Sequence, residues 1–293
     1  MSGGVSSPPP HPGVAVAIVS WNTSSAALAA AEAFAASAGV RTEVTVIDNG
    51  SAERERELLR NRSNGVRVLL ESRNLGYAAA ANLALRDAEA DVVCVANADV
   101  RPDPTMLRAL TEAVLADEGV GMAAPNFGDH GNAYHRRLPG APTLLIRPFV
   151  GSFGPARTPG ELNGATVEVE QPGGACFVMR AAVWREVGGM DPGFFLWYED
   201  VDLARRLLDA GRRNLVVKSA RAAHAEGLAT ARLDPVVHQA IRLRSLRRYV
   251  AKHHRRLLPA ERVAIAAAAV CRGAQLGGWR GVRELLAGIR RDA

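Results

Sequence analysis

Along the first two thirds of the chain, apolar positions fall in short, nearly continuous runs at 14–19, 43–47, 66–70, 91–96 and 120–123, rich in Val, Ile and Ala. Runs of this length read as strands buried on both faces of a sheet. Helical stretches lie between them. One at 24–38 is Ala-rich and stopped by Gly39, one at 53–60 is charged, and two more cover 76–87 and 104–116, the last opening on Pro104. This alternation with short loops predicts an α/β fold, with a mainly parallel central sheet flanked by helices. Residues 125–172, rich in Pro, Gly and Asn, break the rhythm and predict a long functional or mobile excursion. Beyond it the pattern predicts a strand at 175–179, helices at 181–187 and 201–210, and a strand at 214–217. Helices follow from Pro235 to the end, broken near Pro259 and Gly277-Gly278. Residues 1–13 read as a disordered Pro/Ser/Gly leader, and no internal repeat is evident.

Composition narrows the function classes. Of 293 residues, 48% are apolar and 23% charged, enough to bury a core. Aromatics at 5% argue against a stacking platform for single-stranded nucleic acid, and no nucleic-acid partner is expected. The net charge of +6 is unevenly spread. Residues 1–203 hold 16 Arg against 24 acids, whereas residues 204–293 hold 18 Arg and 2 Lys against 6 acids. An acidic body thus carries a strongly basic arm. Lys218 and Lys252 are the only lysines, and with abundant Ala this suggests a GC-rich bacterial genome. Cys94, Cys176 and Cys271 form no CxxC pair, so neither a disulfide framework nor a thiolate zinc site is expected. The start lacks a basic n-region and an apolar h-region, and the longest apolar run near the C-terminus, 263–271, is about half of the ~20 residues a membrane span needs. A cytoplasmic protein with at most peripheral membrane contact is expected.

Ligands of open α/β sheets bind beyond the carboxyl ends of the strands. The residues following the first four predicted strands are Ser20-Trp-Asn-Thr23, Asp48-Asn-Gly-Ser51, Ser72-Arg-Asn-Leu-Gly-Tyr77 and Asn97-Ala-Asp99. Each alone is a good turn or helix cap; their coincidence at four strand ends points to a site. No G-x-G-x-x-G or P-loop is present, which argues against a dinucleotide or Walker-type site. A second cluster, Trp197-Tyr-Glu-Asp-Val-Asp202, follows Gly188-Gly-Met-Asp-Pro192. Asp200 as a helix cap with Asp202 in the first turn is one reading. A general base made basic by neighbouring aromatic rings is the other. His224 ends a strand-like stretch and reads as a core residue or a ligand.

Taken in order, these pieces resemble the inverting family 2 glycosyltransferases of GT-A fold, and most closely their rhamnosyltransferase-like branch. The matching motifs are Val16-Ala-Ile-Val-Ser-Trp-Asn22, Val46-Ile-Asp-Asn-Gly-Ser51, Asn74-Leu-Gly-Tyr-Ala-Ala-Ala-Ala-Asn82, Val95-Ala-Asn-Ala-Asp-Val100, Gly173-Gly-Ala-Cys-Phe-Val-Met-Arg180, Gly188 to Phe195, Tyr198-Glu-Asp-Val-Asp-Leu203 and His224. The resemblance covers roughly residues 14–256. It implies that Ser20, Asn22 and Asp48 line the base and ribose pocket, and that Arg73, Asn74, Gly76 and Asn82 border the nucleotide and diphosphate. Gly174 would allow close approach of the donor. Asn97-Ala98-Asp99 stands where the family has Asp-x-Asp, so one carboxylate is lost. Asp99, with His224, is the implied ligand set for Mg²⁺ or Mn²⁺. Asp200 is the implied base, with Glu199 as second choice, and Trp197 and Tyr198 pack on acceptor or core.

The implied reaction moves a rhamnose-like deoxysugar or hexose from a nucleoside diphosphate such as dTDP to an acceptor hydroxyl. The acceptor is either a lipid-linked envelope glycan intermediate or a natural-product aglycone. A nucleotidyltransferase or a non-enzymatic basic adaptor are the alternatives. The implied organisation is a catalytic domain at 14–227, with a nucleotide-binding half (14–124) and an acceptor half (125–227), followed by a basic helical extension at 228–293. In that extension Val237, Ile241, Leu246, Tyr249 and Val250 alternate with Arg242, Arg247, Arg248 and Lys252. Segment 236–258 can dock on the catalytic domain, or meet lipid headgroups or an acceptor pyrophosphate.

Overall fold

The computed structural model describes residues 11–62, 66–127, 136–149, 165–225 and 227–290. The first ten residues of the expected leader, and much of the 125–172 excursion, lie outside the described residues.

Four strands, β1 (Gly13–Ser20), β2 (Arg41–Asp48), β3 (Arg67–Leu70) and β4 (Val92–Asn97), pair parallel in the order β3-β2-β1-β4. They are joined by α1 (Ser24–Ala35), α2 (Glu53–Arg62) and α3 (Tyr77–Leu85). Short crossovers of this kind give parallel neighbours. A short β5 (Val100–Pro102), α4 (Met106–Ala116) and β6 (Val120–Asn126) follow, then α5 (Ala141–Ile146), β7 (Thr166–Val169) and β8 (Cys176–Arg180). β8 enters between β4 and β6 antiparallel to both. It is reached through the long excursion and not through a helical crossover, which frees it from the parallel rule. The chain continues with α6 (Ala181–Glu186), α7 (Glu199–Asp209) and β9 (Arg213–His224). β9 runs parallel to β6 and antiparallel to β5 and β7. The sheet is therefore mixed, parallel in its first half and mostly antiparallel in its second.

Period-two alternation splits the core. Val14, Val16 and Ile18 face α1 and α4 on one side of the sheet, against Phe34, Leu107 and Leu110. Ala15, Ala17 and Val19 face the other side, against Ala80, Ala81, Trp184 and Leu207. Small side chains on both β1 and α3 let that helix lie close. Full burial of Ile18 or Phe34 contributes roughly 1.5–3 kcal/mol each.

The basic arm forms α8 (Pro235–His253) and α9 (Leu258–Arg290). Asp234 caps α8, accepting from the N–H groups of Val236 and Val237 at 2.9 and 3.1 Å, with Pro235 in the first turn. The break falls at 254–257, just before Pro259. α9 is non-helical at Gly277 and Gly278, and there it reverses. A Cβ on Gly273 would sit 2.5 Å from Val282 Cα, whereas a straight helix would hold these residues roughly 13 Å apart. The three helical segments bury Val236, Leu243, Leu246, Tyr249, Ile265 and Leu285 with Phe194, Tyr198 and Val201 in a third core cluster. Segment 236–258 therefore docks on the 194–201 segment. Arg248 and Lys252 reach Asp191 at 2.8 Å each, and Lys252 also reaches Asp202 at 2.7 Å. Among the described residues no helix is long and apolar enough to cross a membrane.

Candidate active site

Strand register brings the predicted polar groups to one edge. Ser20 pairs with Asp48, Asp48 with Leu70, and Val19 with Asn97. The loops beyond are laced together. Asn22, at φ 55°, donates its N–H to Ser51 Oγ at 2.7 Å and accepts from the Ala52 N–H at 2.9 Å. Ser20 Oγ meets Thr23 Oγ1 at 3.2 Å. Asn49, which the sequence reading passed over, donates to Asn74 Oδ1 and accepts from the Leu75 N–H. It joins the second loop to the third. Asn74 Oδ1 also accepts from the Gly76 N–H at 2.9 Å. Asp48 is fully buried. One carboxylate oxygen accepts from the Ser51 N–H at 3.2 Å, and the other has no hydrogen-bond partner among the described residues. A buried, open acceptor of this kind suits an N–H group of a ligand. Arg73 is exposed at the rim. Gly76, at φ 87°, is packed on Phe195, whose carbonyl oxygen lies 2.7 Å from where a Cβ would stand.

Asn82, which the resemblance places beside the nucleotide, has its side-chain amide bonded to the Met190 backbone. Its amide donates to Met190 O at 2.7 Å, and its Oδ1 accepts from the Met190 N–H at 3.0 Å. Lying beyond the first turn of α3, it clamps the Gly188–Pro192 loop onto that helix.

Asp99 and His224 come together from distant sequence because Val100 pairs with His224 across β5 and β9. His224 Nε2 lies 3.0 Å from Asp99 Oδ1 and 3.4 Å from Asn97 Nδ2. Burial alone would raise the Asp99 carboxyl, but the His224 ring holds it below its ordinary range. Among the described residues there is no group of three or more His, Cys, Asp or Glu able to enclose a metal. One carboxylate and one imidazole still fit a divalent cation whose other positions are taken by diphosphate oxygens and water.

The third component is the start of α7. Asp200 does not cap it: the helix begins at Glu199, and the preceding Trp197 and Tyr198 have φ of 71° and 70°. Two successive bulky residues in the left-handed region are strained. They turn the chain so that Glu199 and Asp200 both fall in the first turn. Gly174 is pressed against Asp200, with a would-be Cβ 2.7 Å from Asp200 Cβ and Oδ2. Asp200 Oδ1 accepts from the Val201 N–H at 2.8 Å, and Oδ2 accepts from Gln171 Nε2 at 3.4 Å. Burial raises both carboxyls. Glu199 is pushed up to about 8 by burial and then by the Asp200 charge, and its Oε2 has no partner. The bonds from Val201 and Gln171 work against the burial of Asp200 and favour its ionised form, whereas Glu199 has no such side-chain bond. Tyr77 lies near both acid groups. Its hydroxyl is buried without a partner, and burial, then the charges of Glu199, Cys176, Asp99 and Asp200, raise it well above an ordinary phenol. One side chain thus senses both the Asp99–His224 pair and the Glu199–Asp200 pair. Gln171 carried no sequence signal, and Tyr77 stood only as a member of the third strand-end motif, since what each faces lies across the fold.

Tyr198 is not available to an acceptor. It is 3% exposed, and its hydroxyl accepts from Arg147 at 3.0 Å. Trp197 stays partly exposed and meets the His238 ring edge-on at 5.6 Å. Asp202 is fully buried against Arg206, Lys252 and His253 at 2.7–2.8 Å, and it joins α7 to α8.

Residues 15–184 match the family model described as glycosyl transferase family 2. The chain is 30% identical over 247 residues to the N-acetylglucosaminyl-diphospho-decaprenol L-rhamnosyltransferase of Mycobacterium tuberculosis, covering 76% of this chain and 80% of that protein. Among solved structures, a mannosyltransferase from Pyrobaculum calidifontis in complex with GDP-Man and Mn²⁺ superposes with a TM-score of 0.55 at 18% identity, over 95% of this chain and 86% of that one. GalNAc-T7 with UDP, GalNAc and Mn²⁺ gives 0.57 at 17% identity, over 82% of this chain and 48% of that one, so this chain matches about half of that protein's length.

Proposed function

The chain belongs to glycosyl transferase family 2 and is a glycosyltransferase of GT-A fold, and from that premise we propose that it transfers rhamnose or a similar deoxysugar from a dTDP donor to a hydroxyl of a lipid-linked diphospho-sugar, with inversion. The observation that carries this reading is the half-buried Asp200 carboxyl, which accepts from the Val201 N–H and Gln171 Nε2, together with the Asp99–His224 pair, both close enough to act on the Tyr77 hydroxyl. The relative's acceptor, a diphospho-decaprenol-linked sugar, supports the lipid-linked class over a soluble aglycone.

The chemistry is a single displacement. The acceptor oxygen forms a bond to the anomeric carbon as the bond from that carbon to the phosphate oxygen breaks. Asp200 takes the hydroxyl proton, and the nucleoside diphosphate leaves with the bonding pair. One base suffices, unlike the carboxylate pair of glycoside hydrolysis. Asp48 offers its open oxygen to the N3–H of a pyrimidine base. Asp99 and His224 would hold Mg²⁺ or Mn²⁺, which supplies positive charge to the departing diphosphate. Glu199, protonated, keeps a second negative charge away from that diphosphate. Gly174 keeps Asp200 in place. Gly174→Ala is expected to lower kcat by about 10²-fold through displacement of the base, with donor affinity retained; steady-state kinetics beside a donor-binding isotherm check this.

A donor panel tests the reading. With Mn²⁺ present, dTDP-rhamnose is expected to raise the melting temperature more than UDP- or GDP-sugars, and to yield a glycosylated diphospho-lipid by mass spectrometry. Stabilisation by a purine nucleotide sugar alone would overturn the assignment of Asp48 to a pyrimidine.

A further inference from the structure

Away from the donor edge, the arm holds a cavity of about 600 Å³ between α8 and the end of α9, within the usual size range of small-molecule sites. Its walls are apolar: Val236, Val237, Ala240 and Ile241 on one side, Ala287 and Gly288 on the other. The two helices can approach only because residue 288 is glycine, since a Cβ there would stand 2.7 Å from Ala240 Cβ. Arg244 and Arg283 also line the cavity. The acid beside them, Glu284, is paired with Arg280 at 2.7 Å. The cavity is thus a hydrocarbon slot with cations on its wall.

Its position relates it to the chemistry. Arg244 lies over the Phe195 ring at 5.8 Å. The Phe195 carbonyl accepts from the Tyr77 N–H at 2.7 Å and packs on Gly76, both at the donor edge. His238, on the same helix, touches Trp197, two residues before Glu199. One end of the slot therefore adjoins the loop that carries the base. On the final segment of α9, Trp279 is 80% exposed one turn before Arg283.

We infer that this slot binds the isoprenoid chain of the acceptor, with Arg244 meeting its diphosphate. An amphiphile with a hydrocarbon tail and a doubly anionic head is the ligand class that both halves of the lining fit. The inference rests on the lipid-linked reading of the acceptor given above, and it goes further by assigning the tail to the α8–α9 slot. It gives the basic arm a part in substrate recognition: the arm holds the lipid while the sheet edge holds the nucleotide.

The test uses the full chain and a farnesyl diphosphate bearing a diazirine at the tail, irradiated without donor. Labelling is expected to saturate, to be competed by unmodified farnesyl diphosphate, and to map to peptides covering 235–244 and 281–290. Ala287→Trp, an exposed position on the wall, is expected to cut labelling at least tenfold while leaving donor affinity and melting temperature unchanged. Arg244→Ala is expected to weaken competition by farnesyl diphosphate and leave that by farnesol unaltered. Labelling that maps elsewhere, or that is indifferent to Ala287→Trp, overturns the slot. Because the labelling needs neither donor nor transfer, failure of the transferase reading shows separately, as wild-type protein that takes no nucleotide sugar.

Discussion

Asp200→Asn is expected to reduce kcat by roughly 10²–10⁴-fold, the usual contribution of a positioned base, with little change in donor affinity. Asparagine keeps the shape and can still accept from the Val201 N–H, but it cannot take the acceptor proton. Glu199→Gln is the discriminating control. Glu199 is buried, with its carboxyl pushed up to about 8, so near neutrality it is already an uncharged group of glutamine's shape, and the substitution should cost far less. Equal losses for the two variants would transfer the base assignment from Asp200 to Glu199. The pH dependence has a definite sign. Burial raises the Asp200 carboxyl, so activity should fall on acidification at a pH above that of an ordinary carboxylate near 4. A rate limb centred at 4 or below would contradict the geometry.

What could be read from sequence divides along a physical line. The parallel half of the sheet was legible because β1, β2 and β4 are local apolar runs bounded by good turns, and hydrophobic periodicity is a local property. β9 was only partly legible. Its outer half, Ser219 to Ala223, alternates exposed and buried positions, but the buried ones are alanines, too weakly apolar to stand out. β5 and β7 are three and four residues long and owe their existence to pairing with β9. The antiparallel half follows from a long connection whose route no local pattern encodes.

The site divides in the same way. Asp48 and Asp99 stood out because polar groups coincide at four strand ends, and Asp200 because three carboxylates crowd into four residues. That Asp99 meets His224 was implied by family resemblance, and β5–β9 pairing is the physical cause. Gln171 was illegible, and Tyr77 was legible only as a motif member, since a tyrosine at the start of a helix gives no sign of what lies opposite. Asn82 and Tyr198 have partners that the sequence could not name. Polar and aromatic residues in a motif look like ligand groups, yet these two are consumed by the Met190 backbone and by Arg147.

Asp202→Ala is expected to be the most destabilising single change in this network. Asp202 is fully buried, and its carboxylate faces Arg206, Lys252 and His253 together. Removing one member of a buried ionic cluster leaves the others uncompensated, at a cost of roughly 3–5 kcal/mol. For a chain of this size that is a fall in Tm on the order of 10 °C, measurable by calorimetry. Lys252→Met should be milder, because Arg206 continues to neutralise the acid and His253 keeps its hydrogen bond to it. Burial alone would raise the Asp202 carboxyl, but His253, Lys252 and Arg206 hold it below its ordinary value. Its stabilisation is therefore present above the unfolded carboxylate value near 4 and is lost as pH falls through the lower folded value. The wild type should lose this stability below about pH 4, and the variant, already without it, should show a shallower acid limb. Activity should fall as well. Asp202 lies in the first turn of α7, two residues from Asp200, and its partners on α8 fix that turn against the arm. If Asp202→Ala lowered Tm while leaving kcat untouched, the arm would hold the fold together without positioning the base.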